Sequence, residues 1–219
     1  MTKAALFDLD GVIADTAVYH LKAWRKLIQD HFNQDVPDGL LAQTKGLSRV
    51  DSLNAILSGL DLTVSEEEFA RLADEKNDLY RQSLADLNEQ GILPGISELL
   101  AELRKKDFHL ALASASHNAP LILEKLGLSD SFEAIADPRK VGRGKPAPDI
   151  FLTAAKGVNC KPEDCIAFED SAAGITAIKA AGSYAVGIGK QAELNADICF
   201  IDTASIDLDE ILNNWQENK

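Results

Sequence analysis

The sequence predicts an α/β protein, a parallel sheet flanked by helices, with a block of helices inserted after its first strand. Three observations predict it. A short apolar run stands alone near the N-terminus, a stretch of roughly 75 residues after it is helical throughout, and from residue 92 short apolar runs alternate with amphipathic helices.

Residues 4–7 are apolar and are followed at once by charge and glycine, which reads as a buried strand ending in a loop. From Ala17 to about Leu87 apolar residues recur at helical spacing: Ala17, Leu21, Trp24, Ile28 and Phe32, then Leu53, Ile56, Leu57 and Leu60, then Phe69, Leu72, Ala73, Leu79 and Leu87. Ser48 with Asp51, and Ser65 with Glu68, fit the reciprocal capping box and are expected to open helices. Ile92-Leu93-Pro94-Gly95 breaks the pattern. Strands are then expected at 109–113, 134–136, 165–168, 184–188 and 198–201, with helices at 96–106, 121–126, 149–156, 172–181 and 208–215. This alternation implies a parallel sheet covered on both faces. One strand before the block and several after it make the block an insertion. Residues 1–15 and 92–219 then form the α/β core and 16–91 a helical unit, with a cleft between them.

The charge count excludes some functions. The 22 Lys and Arg against 35 Asp and Glu leave a net charge of -13, which argues against a nucleic acid or an anionic membrane as partner. By the same count a multiply charged anion looks unwelcome. No apolar run approaches the roughly 18 residues of a membrane span, and the N-terminus has no signal-peptide pattern, so a cytoplasmic protein is expected. Cys160, Cys165 and Cys199 form no CxxC and read as reduced, inert thiols. A monomer is the default.

In an open parallel sheet ligands bind beyond the carboxyl ends of the strands. There the chain places Asp8, Asp10 and Gly11 after the first strand, Ser114, Ala115 and Ser116 after the second, and Glu169 and Asp170 after a later one, with Lys145-Pro146 in a loop. Clustered carboxylates cannot all stay ionised without a counter-charge, and an oxygen-only donor set favours a hard divalent cation, Mg²⁺ where phosphate is concerned. With the charge so balanced, Asp8 can attack phosphorus as a nucleophile, Asp10 can donate a proton to the leaving oxygen, and Lys145 can stabilise transition-state charge.

Asp8-Leu9-Asp10-Gly11-Val12, Ser114, Lys145-Pro146 and Glu169-Asp170 together resemble the four motifs of the haloacid dehalogenase (HAD) superfamily, in its phosphate-processing branch. The order and spacing match over the whole chain. The resemblance implies a HAD-like Rossmannoid core, and the inserted helices fall where that superfamily carries an α-helical cap domain. Within the superfamily, Asp15-Thr16 with His20 and Trp24, the run from Lys45 to Arg49 with Ser52, Lys76-Asn77-Asp78, and Ser114-Ala115-Ser116-His117-Asn118 resemble the sugar-phosphate mutases.

That likeness implies interconversion of β-D-glucose 1-phosphate and D-glucose 6-phosphate, with β-D-glucose 1,6-bisphosphate as intermediate and activator. Carried over by position, Asp8 is phosphorylated and Asp10 is general acid and base. Asp8, the Asp10 carbonyl, Glu169 and Asp170 hold one Mg²⁺. Ser114, the Ala115 backbone and Lys145 hold the transferring phosphoryl group, while Arg49, Ser116 and Asn118 grip the other phosphate. Thr16 sits at the hinge, His20 and Lys76 position Asp10 on closure, and Gly46, Leu47 and Ser52 face the sugar, with Trp24 and His117 among the substrate-binding residues.

Each cap residue also has a plainer reading. His20 and Trp24 at helical spacing could simply pack, Lys76 could be a solvated charge pairing with Asp74 or Asp78, and Arg49 could form a surface salt bridge. Gly142-Arg143-Gly144-Lys145 lacks the first glycine of a P-loop and has Pro146 in place of its Ser or Thr, and Gly187-Ile188-Gly189 lacks the third glycine of a dinucleotide fingerprint, so neither is taken as a nucleotide site. The loop 137–144, with Arg139, Lys140 and Arg143, is more basic than the site requires, and a proline after Lys145 allows a cis peptide.

A sugar-phosphate phosphatase on the same scaffold is the alternative, water replacing the sugar hydroxyl as attacking group. A receiver-like phosphoacceptor protein is a third reading, disfavoured because it has no use for a large cap. The net charge does not decide against a small bisphosphate. Screening reaches about 8 Å at physiological ionic strength, so the groups around the site matter more than the total.

Overall fold

β1 (Lys3–Phe7) lies at the middle of a sheet whose strand order is β3-β2-β1-β4-β5-β6, in a computed structural model that describes residues 2–217. The outermost expected positions, 1, 218 and 219, lie outside the described residues. After β1 come α1 (Ala17–Phe32), α2 (Asp38–Gln43), α3 (Arg49–Gly59) and α4 (Glu66–Ser83). The sheet then resumes: α5 (Ile96–Lys105), β2 (Phe108–Leu112), α6 (Ala119–Lys125), β3 (Ala134–Ile135), α7 (Asp149–Gly157), β4 (Cys165–Glu169), α8 (Ala172–Ala181), β5 (Tyr184–Ile188), α9 (Gln191–Leu194), β6 (Ile198–Phe200) and α10 (Leu208–Glu217). Every strand pair is parallel, with Phe7 aligned to Leu112 on one side and to Phe168 on the other.

The side-chain alternation of a strand separates the core into two faces. Ala5 and Phe7 point into one cluster with Leu110, Leu112, Ile166 and Phe168, where the Phe7 and Phe168 rings stack at 4.6 Å. Ala4 and Leu6 point into the other, against Phe151, Ala154 and Ile178 of the helices behind. A third cluster, Trp24, Leu27, Ile28, Leu53, Ile56 and Leu72, lies wholly within the helical block. Ala23 and Tyr80 instead join the first cluster, so α1 and α4 extend the core of the sheet domain into the helical block. The chain leaves and re-enters the sheet domain through two adjacent segments, tied by Leu93 N–H donating to the Ile13 carbonyl at 2.9 Å.

The expected strands and long helices are present, with ends shifted by one or two residues. Two short helices, α2 and α9, have too few turns to leave a periodic signature. The caps also differ from expectation. Ser48 and Ser65 each accept the N3 amide, from Asp51 at 3.1 Å and from Glu68 at 3.2 Å. The return bond of the box does not form in either. Asp51 is one methylene shorter than Glu and takes the Ser48 hydroxyl at 2.6 Å, whereas Glu68 turns to Arg71 at 3.3 Å.

No helix among the described residues is long and apolar enough to cross a membrane. The three cysteines form no disulfide among the described residues, and Cys160 and Cys165 are buried.

Candidate active site

The sheet topology reverses between β1 and β4, and the carboxyl ends of these two strands bring their acidic residues together. Asp8 continues the β1 ladder, its N–H donating to the Phe168 carbonyl at 3.0 Å. Its carboxylate is nearly buried and meets the Lys145 ammonium at 2.6 Å. The same ammonium reaches Glu169 at 2.7 Å, and both contacts are sealed from solvent. Lys145 follows no strand. It is delivered by the loop before α7, where the Lys145–Pro146 peptide is cis.

Oxygens of Asp8, Glu169 and Asp170 all lie within 4.8 Å of one another. Burial, reinforced by Glu169, pushes the Asp8 carboxyl well above its usual range. Burial with the same neighbour raises Asp170 to about 7. Burial alone would depress Lys145, but the carboxylates of Asp8 and Glu169 outweigh it and hold the ammonium charged. Three carboxylates with Lys145 between two of them and Lys45 at the third are still short of positive charge, and their donors are all oxygen. That set fits a hard divalent cation.

The surrounding backbone leaves no spare room. A Cβ on Gly11, which has φ +82°, would stand 1.7 Å from Asp170 Oδ2, and one on Gly174 would stand 2.0 Å from the Glu169 carboxyl carbon. Ser171 completes the cradle, its hydroxyl donating to Glu169 Oε1 at 2.8 Å while it caps α8. Sequence reading missed Ser171, because a serine at a helix start already has a sufficient explanation.

Asp10 is separate from this cluster and belongs to a chain of contacts with the helical block. Thr16, fully buried, donates its hydroxyl to Asp10 Oδ1. His20 Nε2 stands 3.7 Å from the same oxygen, and Lys76 Nζ meets His20 Nδ1 at 2.5 Å. While Lys76 is charged it can only donate, so Nδ1 then accepts and the imidazole proton sits on Nε2, facing Asp10. Burial, with Lys76 adding to it, keeps His20 neutral, well below its ordinary pKa. Burial also lowers Lys76 to about 7, although the Asp10 charge pulls the other way. Asp10 itself is raised, mainly by burial.

Lys76 is therefore not the solvated charge of the plainer reading. It is 2% exposed and lies over the rings of Trp24 at 4.6 Å and Tyr80 at 5.0 Å. Tyr80 also stacks on His20 at 3.8 Å. Its place under the pair was hidden among ordinary apolar positions of α4. Trp24 fills both expected parts, since it packs in the helical core and borders the pocket.

A cavity of about 370 Å³ opens between the helical block and the strand ends. Asp8 and Asp10 form its floor with Ala115, Ser116, His117 and Asn118, and His20, Trp24, Gly46, Leu47, Arg49, Ser52 and Lys76 line its opposite wall. Of the expected residues, Thr16, Ser114, Lys145, Glu169 and Asp170 do not line it and stand behind the floor. Ser114 accepts the Ser116 N–H at 3.0 Å, which shapes the loop after β2. Arg49 is a quarter exposed, and its nearest carboxylate, Asp74, is 3.9 Å away, so the salt bridge of the plainer reading is weak and leaves the guanidinium for the cavity.

Two residues of the expected stretches had no assigned part and gain one. Asn77 accepts the Asn118 side-chain amide at 2.9 Å, and Lys45 reaches Asp170 at 2.7 Å. Both join the helical block to the sheet domain.

The basic loop 137–144 is largely neutralised by its own Asp137 and by Asp149 of α7. Arg139 holds Asp137 through two bonds, at 2.9 and 3.0 Å, and draws its carboxyl down to about 2. Arg143 pairs with Asp149 at 2.9 Å.

Residues 2–182 match the haloacid dehalogenase-like hydrolase family. The chain belongs to that family. Its relatives include the β-phosphoglucomutase of Bacillus subtilis (strain 168), 42% identical over 221 residues that cover 98% of this chain and 96% of that one. A phosphorylated carbohydrates phosphatase of Thermotoga maritima is 28% identical, covering 98% and 99%. The crystal structure of β-phosphoglucomutase from Clostridium difficile superposes with a TM-score of 0.95 at 41% identity, covering 100% of this chain and 99% of that one. The inserted helices of this member of the family form one wall of the cavity, and Asp8 and Asp10 after β1 form part of its floor.

Proposed function

We propose that this chain is a β-phosphoglucomutase, an isomerase that interconverts β-D-glucose 1-phosphate and D-glucose 6-phosphate. The observation that carries the reading is the pairing, on one cavity floor, of Asp8 against Lys145 with a second carboxylate, Asp10, engaged by residues of the helical block. The first is a nucleophile with a fixed counter-charge. The second is a carboxyl whose pKa burial raises, which suits it to hand over a proton and take it back.

Asp8 attacks the phosphorus of β-D-glucose 1,6-bisphosphate, forming an Asp8–phosphate bond as the sugar oxygen leaves with the proton of Asp10. A sugar hydroxyl then attacks the aspartyl phosphate, returning its proton to Asp10 and freeing Asp8. Thr16 and His20 hold Asp10 in place through both steps, and Ser114, the Ala115 backbone and Lys145 stabilise the transferring group. Asp8, the Asp10 carbonyl, Glu169 and Asp170 would hold one Mg²⁺, which neutralises charge between the nucleophile and the phosphate. Arg49, Ser116 and Asn118 take the other phosphate, with Gly46, Leu47, Ser52, Trp24 and His117 around the sugar. Residues 16–91 act as a cap that closes over 1–15 and 92–219, so that water is kept from the aspartyl phosphate. We place the enzyme in the cytoplasm as a monomer acting on small sugar phosphates.

The Thermotoga maritima relative keeps a phosphatase as the competing reading. β-D-glucose 1-phosphate and Mg²⁺ are incubated with the protein, with and without traces of the bisphosphate, and glucose 6-phosphate and free phosphate are followed separately. Glucose 6-phosphate formation that depends on the bisphosphate is expected. Rapid phosphate release indifferent to it overturns the mutase.

A further inference from the structure

Lys45 stands in the turn between α2 and α3, half exposed, and its ammonium meets Asp170 at 2.7 Å. Asp170 has only 8% of its side chain exposed and belongs to the carboxylate cluster with Asp8 and Glu169. The neighbouring Gly46 comes so close that a Cβ there would stand 2.3 Å from the Ser171 hydroxyl, the group that holds Glu169. The Lys45–Asp170 pair thus seats the helical block directly on the cluster we assign to Mg²⁺.

We propose that Lys45 competes with the divalent cation for Asp170, so that metal binding releases one of the contacts that join the helical block to the sheet domain. The inference rests on the metal-site reading above. Charge arithmetic supports it. Asp8, Glu169 and Asp170 with Lys145 leave the cluster at about -2 when ionised, which a divalent cation balances and Lys45 halves. Lys45 is also a wall residue of the cavity. Once freed from Asp170, its ammonium is a positive charge in the cavity wall that an incoming phosphate can take. Cation and phosphate then favour each other's binding, because the cation takes Asp170 from Lys45 and the phosphate takes Lys45 from Asp170.

The test uses the intact, phosphate-free protein and Mn²⁺ as probe, with free Mn²⁺ read by electron paramagnetic resonance. Lys45→Met is expected to bind Mn²⁺ about five-fold more tightly than the native chain, the scale of one partly exposed ion pair. Lys45→Arg, which keeps the charge, stays near the native value. Lys161→Met, 78% exposed before β4 on the edge of the sheet opposite the site, gives the general effect of losing one positive charge from an acidic protein. Addition of inorganic phosphate is expected to tighten Mn²⁺ binding more in the native chain than in Lys45→Met. Equal Mn²⁺ affinities for Lys45→Met and Lys161→Met, or a weaker one for Lys45→Met, overturn the proposal. Failure of the native chain and Lys45→Met alike to bind Mn²⁺ overturns the metal-site reading instead.

Discussion

Removing the charge of Asp170 should reverse part of the pH dependence of stability in the metal-free protein. The folded carboxyl titrates at about 7 against an ordinary value of 3.8, because it is buried beside Glu169. Its folded pKa is raised, so between these values the folded chain keeps a proton that the unfolded chain has released. Stability from this group is therefore intact below the ordinary value and is lost as pH rises toward 7. The full penalty is roughly 4 kcal/mol, of which roughly 2–3 kcal/mol falls between pH 5 and pH 8.

His20, held neutral, and Lys76, lowered to about 7, contribute slopes of the opposite sign, but they do so in native and variant alike. The difference between the two curves isolates the carboxylate. Urea unfolding in the presence of a chelator, at pH steps from 5 to 8, should show Asp170→Asn gaining on the native chain by that amount as pH rises. The attraction of Lys45 adds nothing further to this slope, because it already acts to lower that same Asp170 pKa. Saturating Mg²⁺ should flatten the native curve, since it favours the ionised form. Parallel curves for native and Asp170→Asn would refute the reasoning.

Asp8→Asn and Asp10→Ala should each abolish turnover. Retained activity or a phosphorylated enzyme in Asp8→Asn, read by mass spectrometry, removes the covalent mechanism. Arg49→Ala should weaken bisphosphate binding roughly ten- to hundred-fold, the scale of one lost charged hydrogen bond, in a calorimetric titration. Gly11→Ala should lower Mg²⁺ affinity more than about ten-fold, because the new Cβ stands 1.7 Å from Asp170 Oδ2 and the backbone at φ +82° resists a side chain. Lys76 loses its charge as pH rises through about 7, so kcat/KM should fall on that alkaline side, and Lys76→Arg should move the fall to higher pH.

The alternation of strand and helix, the single early strand and the strand-end residues Asp8, Asp10, Ser114, Glu169 and Asp170 were legible because each is a local pattern. Period, turn residues and the end of an apolar run are all written within a few positions. The helical block was legible for the same reason, though α2 and α9 were too short to register. Capping serines were legible as starts, but the return bond depended on side-chain length and on Arg71 competing for Glu68.

What tertiary structure alone decided is which charges meet. Lys145 and Asp8 are separated by 137 positions, and His20 and Lys76 by 56. No sequence period relates such residues; the parallel crossover and the packing of α1 on α4 bring them together. Lys76 reads as a solvated charge on an acidic helix until Trp24, Tyr80 and His20 close around it and burial takes its pKa down. Lys45 has a place in the run to Arg49 but no partner in the sequence; Gly46 admits the turn against Ser171 and sets its ammonium on Asp170. The sequence by itself determined the elements and the chemistry at the strand ends. Only the tertiary structure decided the partners, because burial and charge pairing act through space between residues far apart in the chain.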